Sequence, residues 1–556
     1  MATSEVRNSS HFPATWEQSD DAELFWTWQR MIDPDPITPI AGEFIRMFGD
    51  GTNRALEACA LPTRTRSRRI NTYFYIATFT VAMSPEALQA ASARSQEKLG
   101  AMMAELDVLW DRDWLPEIKR YLAAWEAFDL HGASQADLLA HWDNMLAQHQ
   151  RVWEIHALVG TLMLGALAGF TTLYQHLFPG KDTLSALRLL QGFPNQTVES
   201  GNALWHLSRK ALSSPEVRAT IERTAPDAVA RALSQFPAGQ DFLAALQAYL
   251  EEYGRRGTRY FEVIDPGWIE DPAPVFKNLK DYLQQPTREP EAERTALIAE
   301  REQLLAETRA RLTAHLPGVA GQFEFLLKAA QTATVMQEDH GFWIDFRTMY
   351  EARRVLLEWG HRFAAAGVVE QPDDVFYLTF AELHDTAEAE MQRDLRRLVG
   401  GRRAEMAYFG TITPPPALGT PPPATVVDDP VAHMAAMFFG SPPAAQEQPD
   451  IVRGSAGSAG QVRGRARVVR TLAEAGKLQP GDVLVAPTTS PLWTPLFATV
   501  AAVVTDTGGV LSHCALVARE YGIPAVIGTG TGTTIIRDGQ MIEVDGSAGI
   551  VRIIVA

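Results

Sequence analysis

The stretch Thr505-Asp506-Thr507-Gly508-Gly509-Val510-Leu511-Ser512-His513 and the fifteen residues after it constrain this chain more than any other part. A buried-strand run at 501–504 leads into two glycines, a serine, and one histidine at the start of a short helical pattern. Gly508 and Gly509 allow positive φ and close backbone approach, and Ser512 suits an N-cap. His513 would then stand at the positive end of a helix dipole, beside backbone N–H groups that can hold a phosphoryl group on the imidazole. Thr505, Gly508, Gly509 and Ser512 are the candidate phosphate-binding residues around it. Gly522 and Pro524 end the helix and open a further strand at 525–527. The bland alternative is a core histidine at a strand–helix turn.

The pattern Thr-Asp-x-Gly-Gly-x-x-Ser-His at 505–513, followed by Ala-Arg-Glu-x-Gly-Ile-Pro-Ala-Val at 518–526, resembles the phosphohistidine swivelling domain of the phosphoenolpyruvate-utilising enzymes. That family includes phosphoenolpyruvate synthase, pyruvate phosphate dikinase, rifampicin phosphotransferase and phenylphosphate synthase. The resemblance implies that His513 is phosphorylated and then gives the phosphoryl group away. Cys514 replaces the small residue more usual after that histidine and reads as a tolerated small side chain. Segments 480–485 and 493–497 match the same domain.

Patches upstream are similar to the helical substrate domain of rifampicin phosphotransferase and its relatives. They are Phe25-Trp26-Thr27-Trp28 with Pro36-Ile37-Thr38-Pro39-Ile40, Tyr253-Gly254-Arg255-Arg256-Gly257 with Glu262 and Pro272, and the segments beginning at Glu338 and Pro372. Arg255 stands where that family often has histidine. From residue 21 to about 409 apolar residues recur at three- and four-residue spacing, notably over 85–110, 136–177, 241–253 and 289–316, which predicts a mainly helical region. The expected fold is therefore a large helical substrate domain over 1–412 and a small α/β swivelling domain over 451–556. The two are joined by a proline-rich linker over 413–450, read as a tether that lets the last domain move. The glycine-serine stretch 454–460 adds a flexible end.

Composition excludes several classes. With 50 basic against 67 acidic residues the formal charge is -17, so nucleic acid is not the expected partner. The apolar run 157–170 is shorter than a bilayer span and reads as a buried helix, so no membrane is implied. The first twenty residues lack the build of a signal peptide, and with only two cysteines a cytoplasmic location is expected. No Cys/His ligand spacing appears, and no metal-ligating residues are predicted.

The dikinases resembled here carry an ATP-grasp domain, and the phosphoenolpyruvate users a barrel after the histidine domain. Neither is expected within this chain. The resemblance then implies that ATP and Mg²⁺ are bound by an ATP-grasp nucleotide-binding partner subunit, as in phenylphosphate synthase. His513 would carry the phosphoryl group to the hydroxyl of a small phenolic substrate in the helical domain. His340 is the candidate base, with Arg256, Arg353 and Arg354 to balance charge. Trp26, Tyr73, Trp205, Trp343 and Tyr350 are the candidate aromatic walls of the substrate pocket, beside Trp28 and Tyr75. Arg64, Arg66, Arg68 and Arg69 read as a solvated helix face. Two alternatives remain: an antibiotic-type phosphotransferase component, and a non-catalytic phosphohistidine carrier or regulatory module.

Overall fold

The computed structural model describes residues 12–180, 183–257, 259–285, 289–313, 315–421, 436–440, 448 and 450–554. Two compact units interleave along the chain. The first draws on 1–162, 255–267 and 340–427, the second on 163–254, 268–339 and 428–556. This division does not follow the three consecutive segments expected: the helical stretch is shared between both units, and the α/β residues group with helices of the second.

The first unit holds a sheet that helical spacing did not foretell. Its strands Thr63–Ile70, Tyr73–Thr80, Trp26–Trp28 and Ala417–Leu418 lie side by side in that order, each pair antiparallel. Asn71 and Thr72, at φ 46° and 71°, make the two-residue turn of the first hairpin, whose primed geometry suits the strand twist. The four arginines expected on a helix face thus lie on a strand. Arg66 pairs with Asp20 and Asp21, Arg68 with Asp21 and Glu17, and Arg69 donates to the Ile37 carbonyl. Hydroxyl residues and arginines alternate over residues 63–68, which is a strand period; their charge concealed it.

Thr38 caps the helix Pro39–Ala58, accepting from the Ala41 N–H, and its own hydroxyl donates to buried Glu262 at 2.9 Å. The Thr38 backbone N–H donates to the same carboxylate at 2.7 Å. Two of the patches noted in the sequence are thereby pinned to each other. The helix Gln135–Leu177 is long and apolar enough to cross a membrane, but 61% of its most apolar window is buried within the protein, as a core helix would be.

In the second unit an eight-stranded sheet carries the histidine motif. Its centre is parallel: Gln461–Val468, Val483–Ala486, Ala502–Thr505 and Ala525–Ile527 pair in sequence order. Antiparallel strands Met541–Asp545, Ile550–Ile553 and Ile451–Arg453 extend one side, and Ser455–Ser458 closes the other. Three of these strands, Val483–Ala486, Ala502–Thr505 and Ala525–Ile527, are buried on both faces, which explains their apolar runs.

The glycine-serine stretch 454–460 is not a loose end: much of it is edge strand. A Cβ on Gly454 would lie 2.4 Å from the Ile527 carbonyl, so glycine serves backbone approach there. Residues 532–535 form the short helix Gly532–Ile535. Described parts of the expected linker are also tied down. Ala417–Leu418 pairs with Trp26–Thr27, and Tyr75 donates to the Pro415 carbonyl at 2.7 Å. In the other unit the Met437 and Phe438 carbonyls accept from Leu511 and Gly509. Most of the second proline run, and the run after residue 440, lie outside the described residues.

Candidate phosphohistidine site

His513 is the first residue of the helix His513–Glu520, directly after the N-cap Ser512. The turn before it uses its two glycines differently. Gly508 takes φ +101°, a conformation open to glycine, whereas on Gly509 a Cβ would lie 2.2 Å from the Met437 carbonyl. The Gly509 N–H donates to Phe438 and the Thr505 hydroxyl to the Thr507 carbonyl, so both are engaged in building the turn. Ser512 occupies the N-cap with extended backbone, but its hydroxyl makes no capping bond.

The rest of the motif fixes this turn. Asp506 accepts from the Thr529 hydroxyl at 3.0 Å and from the Thr533 N–H and hydroxyl. Arg519, half-buried, donates to the carbonyls of Val510 and Gly457, tying the histidine loop to the edge strand. Gly522, at φ +63°, closes the helix in a Schellman arrangement: Ile523 N–H bonds Ala518 O and Gly522 N–H bonds Arg519 O. Burial pushes the Cys514 thiol up to about 12, so it is an inert packing residue.

The imidazole is 8% exposed and held at both nitrogens. Nδ1 lies 3.2 and 3.4 Å from the carboxylate oxygens of Glu338, and Nε2 lies 3.4 Å from the Thr494 hydroxyl. Glu338 is itself buried and accepts from the Thr197 hydroxyl at 2.7 Å, while the neighbouring Asp339 accepts from the Gln196 N–H at 2.8 Å. The carboxylate on Nδ1 favours the tautomer protonated there, with the ring lone pair on Nε2. Glu338 and Thr494 were both inside matched segments. Sequence alone favours His340, because an imidazole can accept a proton near neutral pH and its segment resembles the family; it does not single out Glu338, two residues earlier, which is the side chain that meets His513.

The other candidates distribute as follows. Trp26 and Tyr73 are core residues, packed with Phe12, Tyr75 and Leu418, which corrects their assignment to a pocket wall. Trp26 donates to the Asp21 carbonyl, and Tyr73 to the carbonyls of Phe409 and Ile412. Each ring is buried because strand alternation turns it inward, and its polar atom finds a backbone partner. Trp205 lies in the second unit, with the Arg209 guanidinium 5.0 Å above its ring. Trp343 is sandwiched by cations, with Lys119 at 4.4 Å and Arg347 at 5.2 Å, and Tyr350 packs on Gly267.

Arg353 is buried and donates to the carbonyls of Val263 and Ile264 at 2.7 and 2.8 Å, a strap across the chain rather than an exposed charge. Arg354 pairs with Glu351, and Arg256 is buried. His340 lies in the first unit, where its ring centroid is 4.9 Å from that of His156. His156 in turn sits against Asp345, so the structure gathers three metal-capable side chains where the sequence predicted none. A cleft of about 340 Å³ in the same unit is lined by Glu17, Arg46, Arg64, Arg66 and Arg68 and is charged rather than aromatic.

Comparison with known proteins agrees with this anatomy. Residues 157–338 match the rifampicin phosphotransferase fourth domain, and residues 478–549 match the PEP-utilising enzyme mobile domain. The chain is 38% identical to the chondramide synthase of Chondromyces crocatus over 98% of its own length and 14% of that protein. It is 32% identical to a rifampicin phosphotransferase of Streptomyces sviceus, over 65% of this chain and 40% of the relative. It is 30% identical to the prodigiosin synthesizing transferase of Serratia marcescens, over 64% and 39%. The chain thus spans less than half the length of these relatives. The mobile-domain match falls on the strands and helix that present His513, and the fourth-domain match ends on Glu338, the residue that holds it. This chain is a member of the PEP-utilising enzyme family, with a rifampicin-phosphotransferase-type helical domain and a PEP-utilising mobile domain.

Proposed function

We propose that this chain is a phosphotransferase that carries a phosphoryl group on Nε2 of His513. The observation that carries the reading is the pairing of Nδ1 with Glu338, which leaves the other nitrogen to react. As Nε2 bonds to phosphorus the imidazole gains positive charge, and the Glu338 carboxylate stabilises it through the Nδ1–H. When the P–N bond breaks, its electron pair returns to Nε2 and the proton stays on Nδ1, so neutral imidazole leaves rather than imidazolate. Splitting one transfer into two through this covalent intermediate is the benefit of the histidine.

The donor in this reading is ATP with Mg²⁺ on an ATP-grasp partner, as the resemblance of residues 505–526 to the swivelling domain implies. Magnesium would neutralise the phosphates during transfer. The acceptor we favour is a small phenol. A phenol hydroxyl has a pKa near 10, so its ionisation asks less of a protein base than a sugar hydroxyl would. Trp205, Trp343 and Tyr350 are the wall candidates that remain for such a ring once Trp26 and Tyr73 are assigned to the core. A second reading is favoured by the chondramide synthase match, which covers almost all of this chain: the acceptor is then an intermediate in the assembly of a larger natural product.

Incubation with an ATP-grasp partner and ATP labelled in the transferred phosphate tests the core of the proposal. The chain should take up one acid-labile, alkali-stable label, absent from His513→Ala; label retained in that variant refutes it. Chasing the charged chain with phenols, sugars and macrolactams then decides the acceptor. Transfer to sugars or macrolactams but not to phenols refutes the phenolic reading.

A further inference from the structure

His156, His340 and Asp345 converge in the first unit, and nothing in the phosphohistidine site uses them. Their ligand-capable atoms all lie within 4.8 Å of one another. His156 comes from the helix Gln135–Leu177, His340 ends the helix Pro317–His340, and Asp345 lies in the π-helical segment Gly341–Thr348 that follows. The change of helix type matters. Five residues on an α-helix turn a side chain about 140° away, whereas the wider π turn, closing i to i+5, returns it close to the same face. The segment therefore brings Asp345 round to His340, and π turns of this kind recur at functional sites.

Two observations point to a ligand. Asp345 is 3% exposed, and its Oδ1 makes no hydrogen bond although His156 Nδ1 lies only 2.9 Å away. His156 Nδ1 is likewise without a hydrogen bond. A buried carboxylate oxygen and an imidazole nitrogen in contact but misaligned for a hydrogen bond are what two ligands of one cation look like. An uncompensated buried carboxylate, by contrast, is costly. Aromatic rings of Phe48 and Trp153 lie 5.5 Å from the His156 ring, giving the dry surround that strengthens metal–ligand bonds. The His156 side chain is 19% exposed, which leaves a route in from solvent.

We propose that His156, His340 and Asp345 bind one divalent transition-metal ion, zinc being the best fit to two imidazoles and a carboxylate. Ligand atoms about 2.1 Å from a tetrahedral zinc stand about 3.4 Å apart, so the group closes by roughly an ångström on binding. Three protein ligands leave a position for water or for an oxygen-bearing substrate, as catalytic rather than structural zinc does. His340 would then donate its lone pair to the ion and not act as a free base. All three residues lie outside both matched segments, and the inference stands apart from the phosphotransferase reading.

The test uses the tag-free full chain, stripped with chelator and dialysed against buffered Zn²⁺. Elemental analysis should find one equivalent of zinc, and Co²⁺ in its place should give the visible d–d bands of a nitrogen/oxygen site. Asp345→Asn, His340→Gln and His156→Gln should each weaken zinc by more than about 100-fold, beyond the 10- to 100-fold cost of losing an outer partner. His384→Ala, beside Asp143 and Glu388 on the same unit, should leave affinity unchanged. Zinc should also raise the melting temperature of wild type and not of the variants, which identifies any variant that fails to fold. No zinc above background, or binding that survives all three substitutions or is lost in His384→Ala, overturns the proposal.

Discussion

Glu338→Gln is the substitution that most directly interrogates the site. It keeps the shape and the acceptor for the Thr197 hydroxyl, yet removes the negative charge facing His513 Nδ1. A hydrogen bond to a charged group contributes about 1.5–3 kcal/mol. The contacts here, 3.2 and 3.4 Å, are longer than the 2.7–2.9 Å of a strong charge-assisted bond, so the lower half of that range applies. At about 1.4 kcal/mol per decade, a loss of roughly 1.5–2 kcal/mol slows phosphorylation of His513 some 10- to 30-fold. The assay mixes the chain with an ATP-grasp partner and labelled ATP and follows the uptake of acid-labile label by rapid quench in a single turnover. Thr197→Val, which only frees the carboxylate to move, should cost about 1 kcal/mol, or roughly fivefold. Wild-type rates in Glu338→Gln, with its melting temperature unchanged, would refute the role given to Glu338.

Asp33 supplies a pH test: burial, opposed by the nearby Arg259 guanidinium, pushes its carboxyl up to about 8. The folded state then holds a proton that the unfolded state gives up, so stability is fully present below pH 4 and falls as pH rises to about 8; Asp33→Asn should be more stable by roughly 4 kcal/mol at pH 7 and show no gain at pH 4. Denaturant titrations at both pH values check this, and an equal difference at the two would refute it. Gly509→Ala should be strongly destabilised and lose phosphoryl labelling, because the new Cβ meets backbone, whereas Gly400→Ala, open on all sides in the helix Arg396–Phe409, should gain about 0.4–1 kcal/mol. Arg353→Met should lower the melting temperature by removing two carbonyl partners while leaving label uptake by the folded fraction intact, and selective loss of uptake at unchanged stability would contradict its role as a strap.

The sequence by itself determined whatever rests on local chain geometry. The strand, the glycine turn, the helix opening at His513 and the Gly522 stop are local events, so residues 501–528 could be read almost to the residue. The central parallel strands were legible because burial on both faces leaves an unbroken apolar signature.

Tertiary structure decided what depends on residues far apart. Glu338 meets His513 across 175 positions, and no local pattern shows which of several nearby acids and histidines will arrive there. The strand Thr63–Ile70 shows its alternation through arginines, of which Arg66 and Arg68 find their acidic partners at residues 17–21 in another part of the chain. Trp26 and Tyr73 became core rather than pocket because a hairpin and a distant strand closed over them. His156 and Asp345, 189 residues apart, meet where a turn of π-helix after His340 brings the carboxylate round. A one-residue change in helical register is invisible to hydrophobic periodicity, and here it decides which face the carboxylate occupies.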